Sequence, residues 1–135
     1  MRWVDTHVHW DASEFDLDRE QAFIRAKGAG VDCCFNPSVD VSSFESVRAL
    51  ATASQSRHDW PIILPAFGIH PLYVEKAADY DLQALDQQLT MNRPIAVGEI
   101  GLDGYTGAPD VTRQRHWFEA QLELAIKHGL PVLLH

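Results

Sequence analysis

Short apolar runs alternate with amphipathic stretches along the whole chain. Residues 2–9 (RWVDTHVH) switch between apolar and polar with period 2, as a half-buried strand does. Residues 31–37 (VDCCFNP), 61–71 (PIILPAFGIHP), 94–100 (PIAVGEI) and 131–135 (PVLLH) are strand-length runs rich in Val, Ile, Leu and Phe. Helical patterns lie between them. In 41–55, Phe44, Val47, Leu50 and Ala51 form one apolar stripe, and Ser42 and Glu45 are spaced as a capping box. In 81–89, Leu82, Leu85 and Leu89 recur at helical spacing. From about Asp110 to His128 a longer helix puts Trp117, Phe118, Leu122, Ala125 and Ile126 on one side. Gly129 stands where a left-handed residue would end that helix before Pro131. A weaker helix spans about 18–28 and stops near Gly28 and Gly30. The order β-α-β-α-β-α-β-α-β implies parallel strands joined by right-handed crossovers, an α/β fold in one continuous unit.

Composition narrows the function. At 135 residues, 46% hydrophobic and 10% aromatic, the chain has the means to bury a core and does not read as disordered. Nineteen acidic residues against eleven basic ones give a formal charge of −8. That is a poor footprint for nonspecific nucleic-acid binding unless bound cations supply the positive field. No apolar stretch approaches the roughly 20 residues of a membrane span, and the first residues do not form a signal-peptide core. Cys33 and Cys34 are adjacent on a predicted strand and point to opposite faces, so they read as two reduced, buried hydrophobes. The expected setting is cytoplasmic, without membrane contact.

The chemistry gathers at strand ends. On a strand, His7 and His9 project to the same face about 6–7 Å apart, close enough for two imidazoles to converge on one metal ion. Val4, Thr6 and Val8 then face the helices. Two solvated or hydrogen-bonded histidines would give the same H-x-H pattern, so it carries little alone. Glu99, between Gly98 and Gly101, ends an apolar strand where a carboxylate needs a partner charge or a metal; a cap or salt bridge would also serve. Asp103 follows in a loop, where turn formation competes with a ligand role. His70, before Pro71, is open between ligand, substrate contact and plain loop histidine, with substrate contact or support of the ligands favoured. His135 alternates with Val132 and Leu134, which turns it inward with the polarity of His7, His9 and Glu99. His58, His116 and His128 read as surface residues, the last suited to a helix C-terminus.

The segments DTHVHWD, GIHPLY, AVGEIGLD and RQRHWFEAQLELAIKHGLPVLLH resemble, in order and spacing, the TatD-type metal-dependent hydrolases, relatives of the amidohydrolase superfamily. The resemblance implies a parallel (β/α)8 barrel of the TIM type with a divalent-metal site at the C-terminal ends of its strands. By position it implies that His7 and His9 hold one metal, that Glu99 bridges two and is the catalytic carboxylate, and that His135 binds the second. It also places His70 near the substrate. Imidazole and carboxylate ligands suit Zn, Mn, Fe, Ni or Co, and an oxygen-rich completion would favour Mg or Mn. The implied activity is hydrolysis of phosphodiester bonds, deoxyribonuclease-like, through a metal-activated water. Gly104 departs from the family, which often has a bulkier aromatic there.

A barrel of this type takes about 250 residues. Five strands and four helices make roughly its first half, so residues 1–135 are expected to be the N-terminal portion of one barrel hydrolase domain, with the remainder of the barrel as partner. The family's further metal histidine on strand six and aspartate on strand eight lie outside this sequence. Two alternatives stay open: hydrolysis of another small ester, lactone or amide by the same site, and a half-barrel without catalysis.

Overall fold

The computed structural model describes residues 1–105 and 107–135. Its strands are β1 (Trp3–Asp5), β2 (Val31–Pro37), β3 (Ile62–Phe67), β4 (Ala96–Ile100) and β5 (Val132–Leu134). Between them run α1 (Arg19–Gly28), α2 (Phe44–Ser54), α3 (Asp79–Asn92) and α4 (Val111–His128), with 3₁₀ turns at Ser13–Phe15 and Val41–Ser43. The five strands form one parallel sheet in the order β1-β2-β3-β4-β5. Each crossover is helical, and the sheet curls into half of a TIM-type barrel.

β4 is buried at every position, because neighbours cover it on both edges and helices cover its outer face. The main core joins α2 (Phe44, Val47), β3 (Phe67), α3 (Leu85, Leu89), β4 (Val97, Ile100) and α4 (Ala125). A second cluster packs Phe23 against Trp10 and Trp60, with ring centroids 4.9 and 4.5 Å apart. Each fully buried large side chain contributes roughly 1.5–3 kcal/mol. The sheet edges are different: Trp3 and Val4 of β1 are 55% and 57% exposed, and Leu134 of β5 is 60% exposed.

α4 ends as its sequence predicts. Asp110 caps its start by accepting from the Thr112 and Arg113 amides, and Gly129 at φ 63° closes it in the left-handed conformation that glycine tolerates. Other expectations need correction. β1 stops at Asp5 instead of running to His9, and Val4 is exposed at the sheet edge instead of facing helices. Ser42 and Glu45 do not form the capping box before α2. Asp40 caps the preceding turn with Ser43 as its reciprocal partner, and Glu45 pairs with Arg48. Ile126 lies 80% exposed, one residue round the helix from buried Ala125. No helix among the described residues is long and apolar enough to cross a membrane.

Candidate metal centre

The first histidine pair is set by the segment leaving β1. The Val8 amide donates to Phe35 O (3.0 Å), which keeps this segment beside β2 after the regular strand has ended. Val8 packs into the Trp10–Phe23 cluster, so His7 and His9 share the opposite side. Their Nε2 atoms lie 3.3 Å apart, and both meet Glu99 Oε2, at 2.9 Å from His7 and 3.2 Å from His9. The second group forms at the other oxygen. His135 Nδ1 lies 2.5 Å from Glu99 Oε1, with His70 Nε2 3.6 Å from the same oxygen and 3.0 Å from His135 Nδ1. Glu99, 4% exposed, thus stands between two sets of imidazoles.

Hydrogen-bond polarity decides what each ring offers. His9 Nδ1 lies 3.0 Å from Pro37 O, an acceptor, so this nitrogen carries the proton and Nε2 faces Glu99 with a lone pair. His135 Nε2 lies 2.8 Å from Asp103 Oδ2, which likewise leaves Nδ1 facing Glu99 as an acceptor. Two lone-pair confrontations with one carboxylate each call for a cation between them, and with no metal a proton must serve. His9 is accordingly raised above its ordinary pKa, first by its contact with Glu99. Burial would lower His135, but Glu99 and Asp103 outweigh it and raise this ring too. Burial alone would push Glu99 up, yet His70, His9 and His135 together hold it far below the usual carboxylate range. His70 is the exception among the four rings. The Leu72 amide donates to its Nδ1 (3.1 Å), so the neutral ring keeps its proton on Nε2, as a donor aimed at the site rather than an open ligand. Two groups that could hold a metal ion therefore meet at Glu99, His7, His9 and Glu99 on one side and His70, Glu99 and His135 on the other, with His70 the member whose site-facing nitrogen carries a proton.

Several supporting residues are absent from the sequence reading. Gln121 of α4 accepts from the Ile69 amide (2.7 Å) and donates to Ile69 O (3.0 Å), fixing the backbone next to His70. Gln114, two turns earlier, does the same for Asp103, at 2.7 and 3.0 Å. Both amides are buried on the face that carries Trp117 and Ala125, and polar residues at core-facing helical positions were the available signal. Asp103 does the turn work foreseen for it, Oδ1 accepting from the Tyr105 amide, and its Oδ2 orients His135 through a hydrogen bond, a role different from the ligand alternative. Fully buried Asn36 accepts from the Trp10 amide and donates to Asp11, holding the loop after His9. Arg19 binds the carbonyls of Trp10 and Ala12 in the same loop. His58 and His116 are exposed and remote, as expected. His128 pairs with Asp86 at 2.6 Å. Gly104 has open space where a side chain would stand.

Comparison with known proteins gives one consistent picture. Residues 4–135 match the family described as TatD related DNase. The metal-dependent hydrolase YjjV of Escherichia coli is 39% identical over 137 residues, covering 99% of this chain and 50% of that protein. The 3′-5′ ssDNA/RNA exonuclease TatD of Pectobacterium carotovorum is 30% identical, covering 97% of this chain and 48% of that protein. The crystal structure of YjjV superposes with a TM-score of 0.90 at 38% identity, over 99% of this chain and 50% of that one. A TatD-family hydrolase from Entamoeba histolytica, at 19% identity and TM-score 0.85, shares the fold. The chain spans about half the length of these relatives.

Proposed function

The chain belongs to the TatD-related DNase family of metal-dependent hydrolases, and from that premise we propose that it supplies the first five strands and the larger part of the metal site of a phosphodiester-hydrolysing barrel. His7, His9 and Glu99 hold one divalent ion, and Glu99 and His135 hold a second. The observation that carries this reading is the double confrontation at Glu99, where each oxygen meets imidazole nitrogens whose protons are committed elsewhere or displaced. Bound divalent ions there would supply Lewis acidity, lowering the pKa of water and polarising a phosphoryl oxygen.

The protein's own groups do the rest. Glu99 fixes the spacing of the two imidazole sets and is the residue on which both depend. Asp103 and the Pro37 carbonyl hold His135 and His9 in the tautomers that present lone pairs inward. His70, with its proton on Nε2, donates to an oxygen of substrate entering beside Glu99. Nucleolytic activity fits the exonuclease name carried by relatives such as that of Pectobacterium.

The test is metal content and turnover of the whole protein, stripped with chelator and reloaded with Zn²⁺, Mn²⁺, Mg²⁺, Ni²⁺ or Co²⁺. Hydrolysis of bis(p-nitrophenyl) phosphate that disappears in Glu99→Ala, together with bound metal, supports the reading. Activity confined to lactones or amides overturns the phosphodiester assignment, and a Glu99→Ala protein that keeps its full metal content overturns the site.

A further inference from the structure

A cavity of about 490 Å³ opens from the metal centre, lined by His9, Asp11, Glu14, His70, Leu72 and Tyr73. That volume is within the range of small-ligand pockets. His9 and His70, one from each side of Glu99, form its inner wall. At its mouth Leu72 and Tyr73 are 40% and 41% exposed, apolar surface on an otherwise charged rim. Tyr73 stands edge-on to His70 with ring centroids 5.9 Å apart. Asp11 is held in place by Asn36 Nδ2 (2.8 Å) through one oxygen only, and Glu14 accepts no protein hydrogen bond among the described residues. The wall therefore offers an aromatic ring, an aliphatic side chain and hydrogen-bond acceptors, and no Lys or Arg.

Acidic groups also predominate on the loops at this end of the five strands. The loops that follow β1 to β4 carry Asp11, Glu14, Asp16, Asp18, Asp40, Glu75, Asp103 and Asp110. Within the loops these eight carboxylates face one basic residue, Lys76; Arg19 and Arg113, from the starts of α1 and α4, reach in but are engaged by the Trp10 and Ala12 carbonyls and by the Val74 and Ala77 carbonyls. The opposite end of the sheet reverses the balance, with Arg2, Arg57 and Arg93 against Asp59. An extended nucleic-acid strand needs several phosphate contacts from Lys and Arg, and these acidic loops, with one Lys and with two Arg already engaged by backbone carbonyls, offer few.

Resting on the phosphodiesterase reading above, we propose that this cavity is a subsite for the uncharged ring portion of a small ester carrying a single phosphate. A nucleoside is the size and chemistry that fits: its base stacks on Tyr73, and its hydroxyl or amino donors meet Asp11 and Glu14. The preferred substrate is then one nucleotide unit rather than a long strand.

Binding of adenosine 5′-monophosphate and of a single-stranded ten-nucleotide DNA to the metal-loaded whole protein tests this by calorimetry at 50 and 200 mM salt. A single phosphate contact predicts about a threefold loss of affinity over that range, and a ten-mer bound less than tenfold more tightly than the mononucleotide. A ten-mer bound tenfold or more tightly, or losing tenfold or more with salt, overturns the proposal. Tyr73→Ala, an exposed position that does not threaten folding, is expected to weaken the mononucleotide about tenfold and inorganic phosphate less than twofold. Equal effects on both ligands, or no mononucleotide binding at all, also overturn it. Hydrolysis of bis(p-nitrophenyl) phosphate, which carries no nucleoside, reports separately on the underlying reading. Turnover of that ester with no effect of Tyr73→Ala on the mononucleotide sinks the subsite alone.

Discussion

His135 Nδ1 lies 2.5 Å from Glu99 Oε1 because the Ile100 carbonyl accepts the His135 amide (2.9 Å) and Asp103 claims the far side of its ring. The fifth strand thus reaches the site through the fourth. Any loosening of β4, of β5 or of the loop that carries Asp103 is read out at one nitrogen atom.

Asp103→Asn tests the outer half of that arrangement. The amide keeps the shape but loses the charge that holds His135 Nε2 as a donor. A carboxylate that holds a ligand histidine by its outer nitrogen is worth about 10–100-fold in metal affinity. Competition with a chromogenic chelator should show one of two metal equivalents weakened by that factor while the other is unaffected. Two equivalents of native affinity would mean that the Pro37–His9 side alone orders the centre.

Gln121→Leu tests the clamp on Ile69. Leucine fits the buried face of α4 but leaves the Ile69 N–H and C=O without their side-chain partners, at roughly 1–3 kcal/mol for each buried group. Urea denaturation should show a loss of about 2–4 kcal/mol. A change below about 0.5 kcal/mol would show that water or backbone adjustment satisfies these groups.

Asp86 joins α3 to α4 through Lys127 (2.7 Å) and His128 (2.6 Å), and Lys127 followed by His128 holds its carboxyl below the ordinary value. A depressed folded-state pKa means that the stabilisation is complete above the unfolded value near 3.9 and is lost as pH falls through the lower folded one. Asp86→Asn should therefore lower the denaturation midpoint at pH 7, by at most about 1 kcal/mol for groups this open to solvent. The gap between the two proteins should narrow as pH falls below the unfolded value near 3.9 and close once the folded value is passed. A gap that does not narrow on acidification would assign the effect to packing.

The parts legible in the sequence were those whose signal is local. β2 occupies 31–37 as its apolar run predicts, and Asp110 and Gly129 bound α4 where their chemistry says they should. β1 was overread because alternation continues through THVH after ladder pairing with β2 has ceased at Asp5. The shared side of His7 and His9 follows from their i, i+2 spacing in an extended segment that outlasts the ladder, and that of His135 from its alternation with Val132 and Leu134. The tautomer of His70 does not follow from spacing, since it depends on an amide two residues later folding back onto Nδ1. Ser42 has the spacing of a cap before α2, but Asp40, two residues earlier, and Ser43, one residue later, form the reciprocal pair instead. Gln114 and Gln121 carry a local signal, polar side chains on the core-facing side of α4, but not the identity of their partners, which are backbone groups of distant loops.

Gly98→Ala joins fold and site in one measurement. A Cβ on residue 98 would stand 2.7 Å from Leu133 Cβ and 2.8 Å from Leu133 O, so β5 must move away from β4 to admit a methyl group. Neighbouring contacts are backbone, and no rotamer change relieves them. Overpacking of this kind costs about 1–3 kcal/mol, and here the displaced strand carries His135 two residues further on. The expected result is a destabilised protein that loses the His135 metal before the His7–His9 metal, seen as a drop to one tight equivalent in a metal titration. The His7–His9 pair is anchored to β2 through Val8 and Pro37 and has no contact with Leu133, so it should keep its ion. If both equivalents weaken together, Glu99 has shifted with its strand and the two halves of the centre are coupled through the carboxylate alone. If neither weakens, the sheet absorbs the methyl group without moving His135, and the close approach of β4 and β5 is unimportant for the site.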